Sequence, residues 1–227
     1  MFKNWSFETK LLAAFVMPFI LFAAIGLTFY ALNCNKQNMS KNLYNNVLVV
    51  VDCQNDFITG SLANTEAQRK VPNIVKKIRE FKGDAIYVTL DTHYSNYLET
   101  KEGKALPVAH CIDGTEGWEL EPNIQAALEN VKLKNIRVFY VIKNTFGARE
   151  LVIRVTQDVA PDSNIELIGL DTDICIVSNA LLLKSELYNI SNFSVDASCC
   201  AGVTVESHKA ALKTMEACQI TITNPED

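Results

Sequence analysis

The chain has 227 residues, a net charge of −5 and no basic block, which argues against a nucleic-acid partner. Its seven cysteines form no regular framework and no CxxC pair. That argues against a disulfide scaffold or a cysteine-type zinc knuckle, and suits free thiols in a reducing compartment.

In chain order, the first feature is an apolar run from Leu11 to Leu32, broken only by Gly26, Thr28 and Tyr30. It exceeds the ~20 residues needed to cross a hydrocarbon core, and a membrane helix tolerates Pro18. It reads as a membrane anchor rather than a cleaved signal, whose apolar region is usually ~7–15 residues and ends in a small-residue site. Asn33 is too bulky to precede a lipoprotein cysteine at Cys34. Lys3 and Lys10 balance Lys36 and Lys41, so orientation is not readable. The polar stretch NCNKQNMSKN reads as a linker. The expected division is therefore 1–43, anchor and linker, and 44–227, a globular domain. Free thiols favour a cytoplasmic face for that domain; a soluble cytoplasmic protein is the alternative.

From Tyr44 onward, strand-like and helix-like segments alternate. VLVVVD (47–52), AIYVTLD (85–91), RVFYVIK (137–143), NIELIGL (164–170), NFSVDA (192–197) and QITIT (219–223) read as strands. Helical patterns cover 66–81, a segment opened by Pro122, 148–159, the residues after Cys175, and 205–218. Doubly apolar strands separated by helices predict a three-layer α/β/α sandwich around a six-stranded, mainly parallel sheet, Rossmann-like in kind. Function in such sheets collects beyond the carboxyl ends of the strands.

Three strand ends carry reactive groups. Asp52 ends the first, Lys143 ends the third, and Cys175 follows the fourth. A cysteine between a strand and a helix is expected to feel the helix N-terminus, which lowers a thiol's pKa. A thiol amidase needs these three residue types. Sulfur attacks a carbonyl, a carboxylate moves the proton, and a lysine holds the carboxylate. Asp91 and His93 leave the second strand as D-x-H, and His110 follows in PVAHC. Two imidazoles and a carboxylate suit a divalent ion, Zn²⁺ first, with Fe²⁺ or Mn²⁺ as alternatives. Phe57, Tyr94, Trp118 and Phe146 lie in loops after these strands and could wall a flat pocket. Cys53, Cys111, Cys199, Cys200 and Cys218 read as inert, and His208 as structural.

The pieces VVVDCQNDFITGSL, DTH…PVAHCIDGTEGWEL, VIKNTFGA and GLDTDICIVSNAL occur in one order over about residues 46–223. In this the chain resembles the isochorismatase-like cysteine hydrolases, and its D-x-H-(x)n-H pattern looks like the nicotinamidase branch. The resemblance implies a catalytic triad of Asp52, Lys143 and Cys175. It implies an oxyanion hole from the backbone N–H groups of Asp171 and Cys175, with a non-proline cis peptide between Leu170 and Asp171. It also implies a fourth metal ligand from the intervening loop, with Glu102 chosen and Glu99 the fallback, and a metal that also meets the substrate's ring nitrogen. Asp171 departs from the family form, where a small or apolar residue is usual. The expected activity is hydrolysis of a small amide, nicotinamide to nicotinate plus ammonia, through a thioester. The alternatives are a metal-free isochorismatase-type or N-carbamoyl/ureido hydrolase, and a non-catalytic membrane-tethered binding module. A homo-oligomer stays open. The opening FKNWSFETKLLAAF also looks like that of bacterial chemoreceptors, though nothing of a receptor follows.

Overall fold

The computed structural model describes residues 43–190 and 192–225. The expected anchor at 11–32 lies outside the described residues. Among those described, no helix is long and apolar enough to cross a membrane. Leu43–Asp227 groups as one unit.

The sheet is built from β1 (Tyr44–Val51), β2 (Ala85–Asp91), β3 (Arg137–Lys143), β4 (Val159–Leu170), β5 (Asn192–Ala201) and β6 (Thr221–Thr223). Its order is β3-β2-β1-β4-β5-β6. Every neighbouring pair is parallel. β4 is longer than its apolar run suggests, because Val159 already pairs with Tyr44 before the register shifts. Strand order reverses between β1 and β4, the place where open α/β sheets bind ligands.

Alternate residues of each strand feed two cores. Val47, Val49 and Val51 of β1 face one way, into the core completed by α5 (Arg149–Asp158), α6 (Val177–Glu186) and α7 (Val205–Ala217). Leu48 and Val50 face the other way, toward α2 (Thr65–Glu80) and α4 (Pro122–Lys132). This is why β1 reads as a continuous apolar run: both of its faces are covered. The helix starts are chemically marked. Asn64 caps α2 by accepting from the Glu66 N–H, Pro122 opens α4 behind a Glu121 cap, and Thr204 and Ser207 form a reciprocal box on α7. Two short helices, α1 (Asn55–Ile58) and α3 (Lys101–Ala105), lie in the loops after β1 and β2 and carry no sequence signal long enough to read.

Gly169 sets the distance between β1 and β4 at the functional edge. It pairs with Val51 and has φ +125°. A Cβ here would lie 2.1 Å from the Val51 carbonyl oxygen. Only glycine combines that backbone conformation with that approach.

Candidate active site

The loops after β1 to β4 bring Asp52, Lys143 and Cys175 together. Lys143 Nζ lies 2.7 Å from Asp52 Oδ2 and 3.5 Å from Cys175 Sγ. All three side chains are buried. Asp52 sits in the left-handed region, φ 48°, a conformation aspartate tolerates better than most residues. It is held there by Thr89, whose hydroxyl donates to Asp52 Oδ1 at 2.7 Å and whose carbonyl accepts the Asp52 N–H at 3.2 Å. Strain of this kind persists where surrounding structure over-determines it.

Cys175 corrects one expectation. It lies inside a π turn (Thr172–Ile176) that precedes α6, not at the first turn of the helix. Burial and the Asp52 carboxylate push its thiol well above the ordinary range, against the pull of Lys143. The thiol therefore depends on the neighbouring carboxylate as its base. Burial also raises Asp52, although Lys143 opposes this, so the carboxylate beside the thiol is a stronger base than a solvated one. Burial works against the Lys143 charge, but the Asp52 and Asp91 carboxylates raise its pKa and keep it cationic.

The expected cis peptide is also corrected: every described peptide is trans, Leu170–Asp171 included. Asp171 stays extended at φ −85°, ψ 143°, and the chain reverses in the turn after it. There the N–H groups of Ile174 and Ile176 donate back to the Asp171 carbonyl at 3.1 and 3.0 Å.

Asp91, His93 and His110 form the cluster expected of a metal site. One ligand atom from each lies within 4.8 Å of the others, and all three residues are buried. His93 Nε2 is 2.9 Å and His110 Nε2 3.6 Å from Asp91 Oδ2. His110 Nδ1 pairs with the Val108 carbonyl at 2.8 Å, which makes it the N–H donor and turns Nε2 toward the cluster. Glu102 of α3 approaches His93 Nε2 at 3.7 Å, while Glu99 is exposed in the preceding turn. One carboxylate and two imidazoles, with a second carboxylate at hand, fit a divalent cation.

A cavity of about 510 Å³ opens over this edge and is lined by Cys175, Asp91, Glu102 and His110. Phe57 and Phe146 lie on its wall, but Tyr94 and Trp118 do not. Tyr94 points to solvent, and the Trp118 ring is turned away to donate to the Thr92 hydroxyl at 2.8 Å. Asp171 lines the same cavity, and its buried Oδ1 has no hydrogen-bond partner. Such a group costs roughly 1–3 kcal/mol of stability. Burial, then Asp173 and Asp52, push its pKa up to about 7.

Several residues that hold the site were missed in the sequence. Gln54 exchanges two hydrogen bonds with the backbone of Asp91 and a third with the Trp118 carbonyl. Asp56 accepts from the Cys111 N–H at 2.7 Å and so fixes the His110 loop. Asn179 accepts from the Ala148 N–H and donates to the Cys175 and Phe146 carbonyls. Gln54 and Asp56 stand within VVVDCQNDF, where two buried polar residues after a strand are the available signal. His208 Nδ1 is 2.7 Å from the Thr172 hydroxyl, so it packs on the cysteine turn rather than in the cavity. The described cysteines are free thiols. Burial raises Cys53, Cys111, Cys199 and Cys200, as suits inert core residues.

An α/β domain with a thiol, an acid and an amine at its switch point, beside a metal-type cluster, belongs to a definable class. The family model described as Isochorismatase domain matches residues 46–227, and the chain belongs to that family. Among solved structures it is similar to a pyrazinamidase/nicotinamidase from Streptococcus mutans, at 26% identity and TM-score 0.66, over 78% of this chain and 99% of that one. It is similar at 25% identity and TM-score 0.66 to a nicotinamidase/pyrazinamidase from Bacillus subtilis, over 78% and 98%. It shares its fold with a pyrazinamidase of Pyrococcus horikoshii in complex with zinc, at 23% identity and TM-score 0.62, over 79% and 98%. No curated protein sequence matches.

Proposed function

We propose that this chain hydrolyses a small, uncharged, planar amide of the nicotinamide type, releasing ammonia and a carboxylic acid. The observation that carries the proposal is the convergence of Asp52, Lys143 and Cys175 at 2.7 and 3.5 Å beside one cavity. The names of the structural relatives point the same way.

Asp52 takes the proton of Cys175 as the sulfur attacks the amide carbon, forming the C–S bond. Lys143 stays cationic and holds Asp52 in place. As the family resemblance implies, the backbone N–H groups of Asp171 and Cys175 would hold the oxyanion that develops. Asp52 then returns the proton to the amide nitrogen, the C–N bond breaks and ammonia leaves a thioester on Cys175. A water attacks the thioester, giving its proton to Asp52. The C–S bond breaks, the proton returns to sulfur, and the acid departs. Asp91, His93 and His110, with Glu102, would hold a divalent cation, zinc by preference of the donor set. Such a cation supplies Lewis acidity beside the reacting centre.

The charges around the cavity favour an uncharged substrate. Its lining includes Glu66, Asp91, Glu102 and Asp171 and no lysine or arginine. A carboxylate-bearing substrate of the isochorismate or N-carbamoyl acid kind would meet these acids with no lysine or arginine on the cavity wall. The test is an ammonia-release panel of nicotinamide, pyrazinamide and ureido acids, with isochorismate hydrolysis followed separately. Turnover confined to the carboxylate-bearing compounds would reject the proposal.

A further inference from the structure

We infer that Asp171 is a specificity-determining residue: its carboxylate accepts a hydrogen bond from an N–H of the substrate remote from the scissile amide. The preferred substrate is then an aromatic amide carrying a ring amino group, and a ligand with a carboxylate at that place is refused. This rests on the amide-hydrolase reading and narrows its substrate class.

The inference comes from a contrast among the acids of the site. Asp52 has Thr89 and Lys143. Asp91 has Lys143 and His93. Asp56 has the N–H groups of Cys111 and Ser61, and Asp173 has that of Val203. Glu66 is paired with Arg69, and Glu102 approaches His93. Among the described residues, Asp171 alone of these acids has no protein donor at its carboxyl, yet it lines the cavity that holds Cys175.

No lysine or arginine of the cavity lining is available to pair with it. Asp171 and Cys175 line one cavity, so a ligand whose carbonyl meets Cys175 shares that cavity with this carboxyl. Buried acceptors without a partner are few in folded proteins, and one facing a ligand cavity is matched when the ligand brings the donor. A proton affinity near neutrality fits this role, because a ligand N–H would stabilise the ionised form. A carboxylate placed there would instead meet like charge.

The test is direct binding by calorimetry to Cys175→Ala protein, which cannot turn over. The probes are nicotinamide, its ring-amino isomers and its ring-carboxylate derivatives. At least one amino isomer is expected to bind about tenfold tighter than nicotinamide, and the carboxylates about tenfold weaker. Adding Asp171→Ala should erase both differences, whereas Asp171→Asn, which keeps an acceptor oxygen, should retain the amino preference. An amino-to-parent ratio unchanged by Asp171→Ala overturns the inference, as does the absence of any tighter amino isomer or of any binding. Ammonia release by the wild type is read separately. Its absence would count against the hydrolase reading while the binding ratios still judge Asp171.

Discussion

Asp91 and Lys143 stand opposite each other at the last paired register of β2 and β3, with Lys143 Nζ 2.9 Å from Asp91 Oδ1. The other oxygen of Asp91 faces His93. One carboxylate therefore joins the catalytic cation to the metal-type cluster. Breaking the two halves separately should separate their effects. Asp52→Asn is expected to lower kcat by about 10²–10⁴ and leave metal content unchanged. Asp91→Asn should lower both. Steady-state kinetics with elemental analysis of the same preparations checks this; equal metal loss in the two variants would contradict it.

The cluster itself should be separable from the fold. Dialysis against a chelator is expected to reduce nicotinamide hydrolysis, with recovery on adding back zinc, manganese or iron(II). His93→Ala and His110→Ala should each weaken metal affinity at least about tenfold, read by competition with a chelating dye. Unchanged affinity in both variants would remove these residues from the site.

Gly169→Ala should be costly although it adds one methyl group. The position requires φ +125°, and the new carbon would press on the Val51 carbonyl. A loss on the order of 2–4 kcal/mol is expected in urea unfolding, well above the ordinary effect of a small substitution. A change below about 0.5 kcal/mol would show that β1 and β4 can separate freely.

Asp196 gives the fold a pH-dependent tie away from the site. Its buried carboxylate meets Lys77, Ser198 and Asn224. Burial alone would raise its pKa, but these partners hold it below the ordinary carboxylate value. The folded state thus binds fewer protons here than the unfolded chain. The stabilisation is present above about pH 4 and is lost as pH falls through the depressed folded value. Asp196→Asn should cost about 1–3 kcal/mol at pH 7, with the gap to wild type closing below pH 4. A gap that widens in acid would reverse the assignment.

The residues that could be read from sequence are those whose chemistry contrasts with their surroundings. Asp52, Asp91 and Lys143 each end a β-branched run, so both the strand and its reactive end were legible. Cys175 was legible as a position but not in its electrostatics, because burial and the Asp52 carboxylate push its thiol upward. The π turn that separates it from α6 has no periodicity to reveal it. Gln54, Thr89 and Asn179 act through partners 37, 37 and 31 residues away, contacts that only the folded sheet creates. Trp118 misled because an aromatic in a functional loop can serve the loop, as its bond to Thr92 does.

Ammonia release from nicotinamide by metal-loaded wild-type protein, measured beside its Cys175→Ala variant, bears most directly on the account. Sustained release by the wild type and none above the uncatalysed background by the variant is the predicted result. Release by Cys175→Ala at the wild-type rate would contradict it.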